Sequence, residues 1–134
     1  MRKLIFGAAL VALAVAVVPI ALGAGGGAVS VQLKEFKLTP KPTSVKAGKV
    51  TFTVKNTGKL MHEMVVLKTN VPAGKLPVNA NSRVSEKSSV GEAGDVKPGQ
   101  TKKVTLALKP GKYVLLCNIA GHYKAGQYAA FTVK

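Results

Sequence analysis

The chain has 134 residues, with 20 Lys and Arg against 5 Asp and Glu, two His, one Cys and a net charge of +15. That length supports one domain around one hydrophobic core, and a single cysteine excludes an internal disulfide framework. Two histidines exclude a multicopper cluster, and His and Cys together supply three ligands where a closed zinc site needs four.

Met1-Arg2-Lys3 is a short positive start, followed by an apolar run over 4–18, the helix breaker Pro19 and small residues at 21–24. This is the layout of a secretory signal peptide over residues 1–24. An uncleaved anchor is the competing reading, because no charge appears between Lys3 and Lys34 and about 20 apolar residues span a bilayer. Either way the domain, residues 25–134, is expected outside the cytoplasm, periplasmic or extracellular. The glycines Gly23, Gly25, Gly26 and Gly27 follow no predicted strand and open no amphipathic helix, so they do not make a phosphate loop. They read as a cleavage region and flexible spacer.

Beyond residue 24 the apolar period is two rather than 3.6. Val29, Val31 and Leu33 share a face; the phase then slips to Phe36 and Leu38, which predicts a β-bulge near Glu35. Val50, Phe52 and Val54 alternate with Thr51, Thr53 and Lys55, and Asn56-Thr57-Gly58 closes that strand. Residues 63–68 hold the continuous apolar run Met64-Val65-Val66-Leu67, expected as a central strand. The stretch 70–100 is rich in Gly, Pro and Asn; because a 31-residue structureless loop does not suit a compact domain, a short strand or helical turn is expected around 83–90. Val104, Leu106 and Leu108 alternate, Pro110-Gly111 turns into the run 113–117, and a last strand runs over 127–133. Short strands separated by such turns predict an all-β, antiparallel Greek-key β-sandwich.

The chemistry sits near the end of the chain, in Cys117-Asn118-Ile119-Ala120-Gly121-His122 with Gln127 five residues further on. His62 opens the 63–68 strand. Alternation places Cys117 with Tyr113 and Leu115, His62 with Met64 and Val66, and Gln127 with Phe131 and Val133. All three side chains then face the core from strand ends, and the 118–126 loop can carry His122 over them. Two imidazoles, one thiolate and a weak axial donor are the ligand set of a blue-copper electron-transfer centre. Cys117 alone would more often be a buried structural thiol, His62 a satisfied strand-end histidine, and Gln127 a spectator. Met64 reads as core, and Met61 as lying on the face opposite His62.

Taken together, the Asn56-x-Gly58-x3-His62 turn, the Gly111-x-Tyr113-x3-Cys117 strand and the Cys-x4-His-x4 loop resemble the cupredoxins, the small type 1 blue copper proteins, over essentially all of 29–134. The resemblance implies one copper ion held by His62, Cys117 and His122. At the axial position, usually Met in such proteins, stands Gln127, as in the stellacyanins. An oxygen donor there implies a lower reduction potential than a thioether. Glu63 follows the first histidine where the family often has Asn; its N–H can still reach the Cys117 sulfur, while its side chain faces away from His62.

Without Arg2 and Lys3 the chain keeps 18 basic and 5 acidic side chains, a net charge of +13. That excess would steer the domain towards redox partner proteins with acidic surfaces or an anionic membrane surface. An exported domain meets little nucleic acid, and no aromatic-interleaved basic motif is present. Tyr123, Ile119 and Ala120 are expected to form an apolar entry patch around His122. Three functions follow in order: a monomeric one-electron carrier, a copper sequestration or delivery protein, and a cupredoxin-like interaction module without copper. An enzyme ranks last, because both histidines are committed to the metal.

Overall fold

The computed structural model describes residues 25–134; the export segment expected over 1–24 lies outside the described residues. Among the described residues nine strands follow in chain order: β1 (Gly27–Lys34), β2 (Lys37–Lys41), β3 (Ser44–Val45), β4 (Gly48–Asn56), β5 (His62–Lys68), β6 (Ser89–Val96), β7 (Thr101–Leu108), β8 (Gly111–Leu116) and β9 (Tyr128–Val133). They form two sheets, ordered β2-β1-β4-β7 and β3-β9-β8-β5-β6.

The alternation seen in the sequence is the alternation of burial. Val29, Val31 and Leu33 of β1 and Val50, Phe52 and Val54 of β4 point into one core with Met64, Val66, Leu115 and Phe131 of the facing sheet. Phe52 and Phe131 meet across the two sheets with ring centroids 5.6 Å apart. Their alternate neighbours on β1 and β4, including Ser30, Gln32, Thr51 and Lys55, face outward.

The sandwich is not wholly antiparallel as expected: β1 runs parallel to β4, and β3 parallel to β9. Alternation decides which face of a strand is buried but carries no information on strand direction. Here the chain leaves the first sheet after β2, adds β3 to the second, and returns as β4 beside β1. The return brings backbone against backbone. A Cβ on Gly26, whose φ is +98°, would collide with the Lys49 carbonyl, and one on Gly48 would meet Gly25. The Gly25–Gly27 run is therefore packed structure at the start of β1, not the expected flexible spacer.

The phase slip at Glu35 is a chain reversal rather than a bulge. Leu33 pairs with Leu38 and Lys34 with Lys37, leaving Glu35-Phe36 as the turn between β1 and β2. Both devices shift a period-2 pattern, and only the pairing distinguishes them.

The 70–100 stretch is ordered differently from expectation. It makes a 3-10 turn at Ala73–Lys75, a single bridge between Val78 and Val84, and then the edge strand β6. Its Leu76, Val78 and Val84 cover Val65, Leu67, Val114 and Leu116 on the outer face of the second sheet, making a second core. This cover explains why β5 and β8 read as continuous apolar runs: both their faces are buried. β6 was hidden by Gly91 and Gly94, yet a Cβ at Gly91 would strike the Leu106 side chain of β7.

Candidate metal centre

His62, Cys117, His122 and Gln127 all converge at one end of the sandwich. His62 is fully buried at the start of β5, and Cys117 is fully buried one residue past β8. The 117–127 loop is wound on its own backbone: the Cys117 N–H donates to the Gln127 carbonyl at 3.0 Å, His122 to Ile119 at 2.9 Å, Ala125 to Gly121 at 3.0 Å and Gln127 to His122 at 3.1 Å. This winding carries His122 back over Cys117.

The donor atoms form a triangle. His62 Nδ1 lies 3.3 Å from His122 Nδ1, Cys117 Sγ 3.4 Å from His122 Nδ1, and Cys117 Sγ 4.0 Å from His62 Nδ1. Imidazole and thiolate bonds to such a metal run about 2.0–2.3 Å, so three donors sharing one ion sit about 3.6 Å apart. The edges bracket that value. The fourth residue supports the fit. Gln127 is fully buried, and its Nε2 donates to the Lys34 and Lys37 carbonyls at 3.2 and 3.4 Å. That orientation leaves Oε1 as a buried acceptor with no hydrogen-bond partner, the kind of vacancy in bonding that folded proteins rarely leave unused.

Burial sets the electrostatics of these groups. Burial pushes the Cys117 thiol up, while N–H groups of Glu63 and Ile119 favour its thiolate. The Glu63 N–H reaches Cys117 Sγ at 3.4 Å. Burial lowers the His122 pKa and the facing His62 ring lowers it further; Gln127 and Glu35 pull the other way. The Glu63 side chain is half-buried on the opposite face, as expected, and burial, with Glu86 and Glu92 nearby, raises its pKa.

Three residues that sequence reasoning missed hold this end together. Glu35 Oε1 accepts from His62 Nε2 at 2.9 Å, Lys59 N at 2.8 Å and Leu60 N at 2.7 Å. The Leu60 N–H is the largest influence holding its carboxyl down, to about 2. Phe36 meets the His122 ring edge-on at 5.1 Å. Asn118 ties the ligand loop to the covering segment, accepting from Val84 N at 2.8 Å and donating to Glu86 at 2.6 Å. The one signal for the first two was their place in the phase slip between two apolar runs. Asn118 thus joins the ligand loop to the covering segment, not to the loop that carries His62.

The expected apolar patch is only partly there. Tyr123 is buried, its hydroxyl donating to the Ala73 carbonyl at 2.6 Å and accepting from Leu76 N at 3.0 Å, so it pins the covering segment instead. Ile119 is partly exposed and Ala120 exposed, and the large exposed apolar side chains at this end are Phe36, Leu60 and Met61. Exposed lysines at 34, 37 and 59 adjoin them in sequence, and Lys124, two residues past His122, is exposed as well. Met64 is fully buried core, as expected, and Met61 is exposed just before β5 begins.

The model of the cupredoxin-like domain family matches residues 6–129. The structure is similar to reduced auracyanin from the photosynthetic bacterium Roseiflexus castenholzii, with a TM-score of 0.62 and 24% identity over 83% of this chain and 98% of that one. It is similar to rusticyanin from Thiobacillus ferrooxidans at a TM-score of 0.64 and 22% identity, covering 84% of this chain and 79% of that one. Auracyanin A of Chloroflexus aurantiacus, a "blue" copper protein, gives a TM-score of 0.58 and 19% identity over 82% of this chain and all 100% of that one. No curated protein matches the chain.

Proposed function

The chain belongs to the cupredoxin family, and from that premise we propose that it is an exported one-electron carrier whose copper is held by His62, Cys117 and His122, with Gln127 Oε1 as the axial donor. The cofactor is one copper ion. The observation that carries the reading is the convergence of His62 Nδ1, Cys117 Sγ and His122 Nδ1 within 4.8 Å of one another, beside an orphaned, buried Gln127 Oε1.

Copper in such a ligand set supplies a Cu(I)/Cu(II) couple, which soft thiolate and borderline imidazole donors serve in both states. The protein's part is to hold the donors still. His62 and Cys117 are anchored in a sheet, and His122 and Gln127 are fixed by the loop's own backbone bonds. The carbonyl oxygen of Gln127 favours Cu(II) more than a methionine thioether would, so this carrier works at a lower potential than a Met-ligated relative. His122 is the ligand nearest solvent, and Phe36 beside it with Leu60 and Met61 before His62 offers an apolar contact for electron entry. The exposed lysines there, and the charge of +13 beyond the first three residues, favour acidic redox partners, with an anionic membrane surface as a second attractor. The domain acts as a monomer, without enzymatic turnover, and residues 1–24 direct it out of the cytoplasm.

Copper sequestration is the second reading, supported by Met61-His62-x-Met64. Residues 25–134 loaded with Cu(II) should show an intense thiolate-to-copper absorption band that disappears in Cys117→Ala, together with reversible voltammetry. A colourless protein would refute the ligand assignment. A coloured protein that yields its copper rapidly to a chelator and gives no reversible wave would favour sequestration.

A further inference from the structure

One short turn touches three of the four residues at the centre. The Lys34 and Lys37 carbonyls, on either side of the β1–β2 reversal, accept both hydrogens of the Gln127 amide. Phe36 packs edge-on against His122. Glu35 accepts from His62. On the ligand assignment proposed above, we infer that the 34–37 turn is the clamp of the copper centre and that Glu35 is its charged positioning residue, orienting His62 and biasing the metal towards its oxidised state.

The argument starts from hydrogen-bond chemistry. An ionised carboxylate only accepts, so the hydrogen of a neutral His62 facing it sits on Nε2. Nδ1 then presents its lone pair towards Cys117 and His122, the direction the 3.3 and 4.0 Å separations describe. The same Oε1 accepts from the Lys59 and Leu60 N–H groups, so the loop entering β5 and the imidazole that begins it are fastened to one atom. His62 is wholly buried while the Glu35 side chain keeps 24% of its surface exposed. The ring therefore has no water to turn towards, and the carboxylate remains partly solvated. A backbone carbonyl in this place would orient the ring equally well but bring no net charge. A carboxylate raises the basicity of the imidazole it accepts from and adds a negative charge behind it; both effects favour Cu(II). Among the described residues, Glu35 is the one carboxylate bonded to a histidine.

Two variants separate charge from geometry. Glu35→Gln retains an oxygen that can accept from Nε2, Lys59 and Leu60 but removes the charge; Glu35→Ala removes both. In the metal-free protein, nitrogen NMR of the imidazoles should show His62 as one Nε2–H tautomer in wild type and Glu35→Gln, and as a mixture in Glu35→Ala. With copper, Glu35→Gln should keep the thiolate absorption and move the reduction potential upward. Glu35→Ala should alter the EPR spectrum and weaken copper binding about 10–100-fold, the usual effect of losing an outer partner of a metal ligand. Unchanged potentials in both variants overturn the charge role, and an unchanged His62 tautomer in Glu35→Ala overturns the positioning role. A wild-type protein with no thiolate–copper band overturns the ligand assignment and the redox half of this proposal, and the metal-free spectra then decide the positioning half.

Discussion

Asn56 is the residue on which the loop into the metal centre depends most for its shape, and replacing it with Ala tests that dependence. The side chain is fully buried. Its Nδ2 donates to the Val96 carbonyl at 2.8 Å and the Leu60 carbonyl at 2.7 Å, and its Oδ1 accepts from Gly58 N at 2.8 Å. Truncation leaves the buried Val96 carbonyl bare and strips two partly buried groups of their partner. An unsatisfied buried group costs about 1–3 kcal/mol and a partly wetted bond about 1 kcal/mol, so the whole loss is about 3–5 kcal/mol. For a domain of this size that lowers the melting temperature by about 12–20 °C. Urea denaturation of the metal-free protein should show the midpoint falling with the slope unchanged. The copper-loaded variant should also differ from wild type by EPR, because the same loop presents Lys59 and Leu60 to Glu35. A stability loss under about 1 kcal/mol would refute the reasoning, since it would mean that water replaces all three bonds without penalty.

Gln127→Met should raise the reduction potential, because a thioether favours Cu(II) less than a carbonyl oxygen does; voltammetry showing no rise would remove Gln127 from the axial role. Tyr123→Phe should cost about 1–3 kcal/mol in denaturant melts, since it leaves Ala73 O and Leu76 N without their partner, while the copper absorption stays as in wild type. Burial raises the Tyr113 pKa above its ordinary value of 10.0, so the folded state holds that proton more tightly than the unfolded chain. Its contribution is complete below pH 10 and is lost as pH rises through the folded-state value. Stability should therefore fall above about pH 10, and fall less steeply in Tyr113→Phe, as pH-dependent urea midpoints would show.

Strands β1, β4, β5, β7, β8 and β9 and the inward facing of the candidate residues were legible because each depends on local pattern, whereas β3 is too short and β6 too glycine-rich to show one. Alternation of Val, Phe and Thr in 50–55 is the burial pattern of β4, and the same parity argument placed His62, Cys117 and Gln127 facing inward. The Cys-x4-His loop could be read because its winding is made of bonds between residues at most ten apart. Tyr123 was misplaced for the complementary reason. Its hydroxyl partners, Ala73 and Leu76, lie 50 and 47 residues away, and no local pattern reveals them.

What the sequence by itself determined, then, is the inward facing of His62, Cys117 and Gln127, the strands that position them and the sign of the net charge, all of which follow from residue type and spacing. Strand direction, the tight reversal at Glu35, the cover laid over β5 and β8, and the hold of Glu35 on His62 were decided by the tertiary structure alone. A carboxylate 27 residues before a histidine is, in sequence, one charge in a turn. The fold of β1 back onto β2, beside the loop that enters β5, brings it to 2.9 Å from that ring.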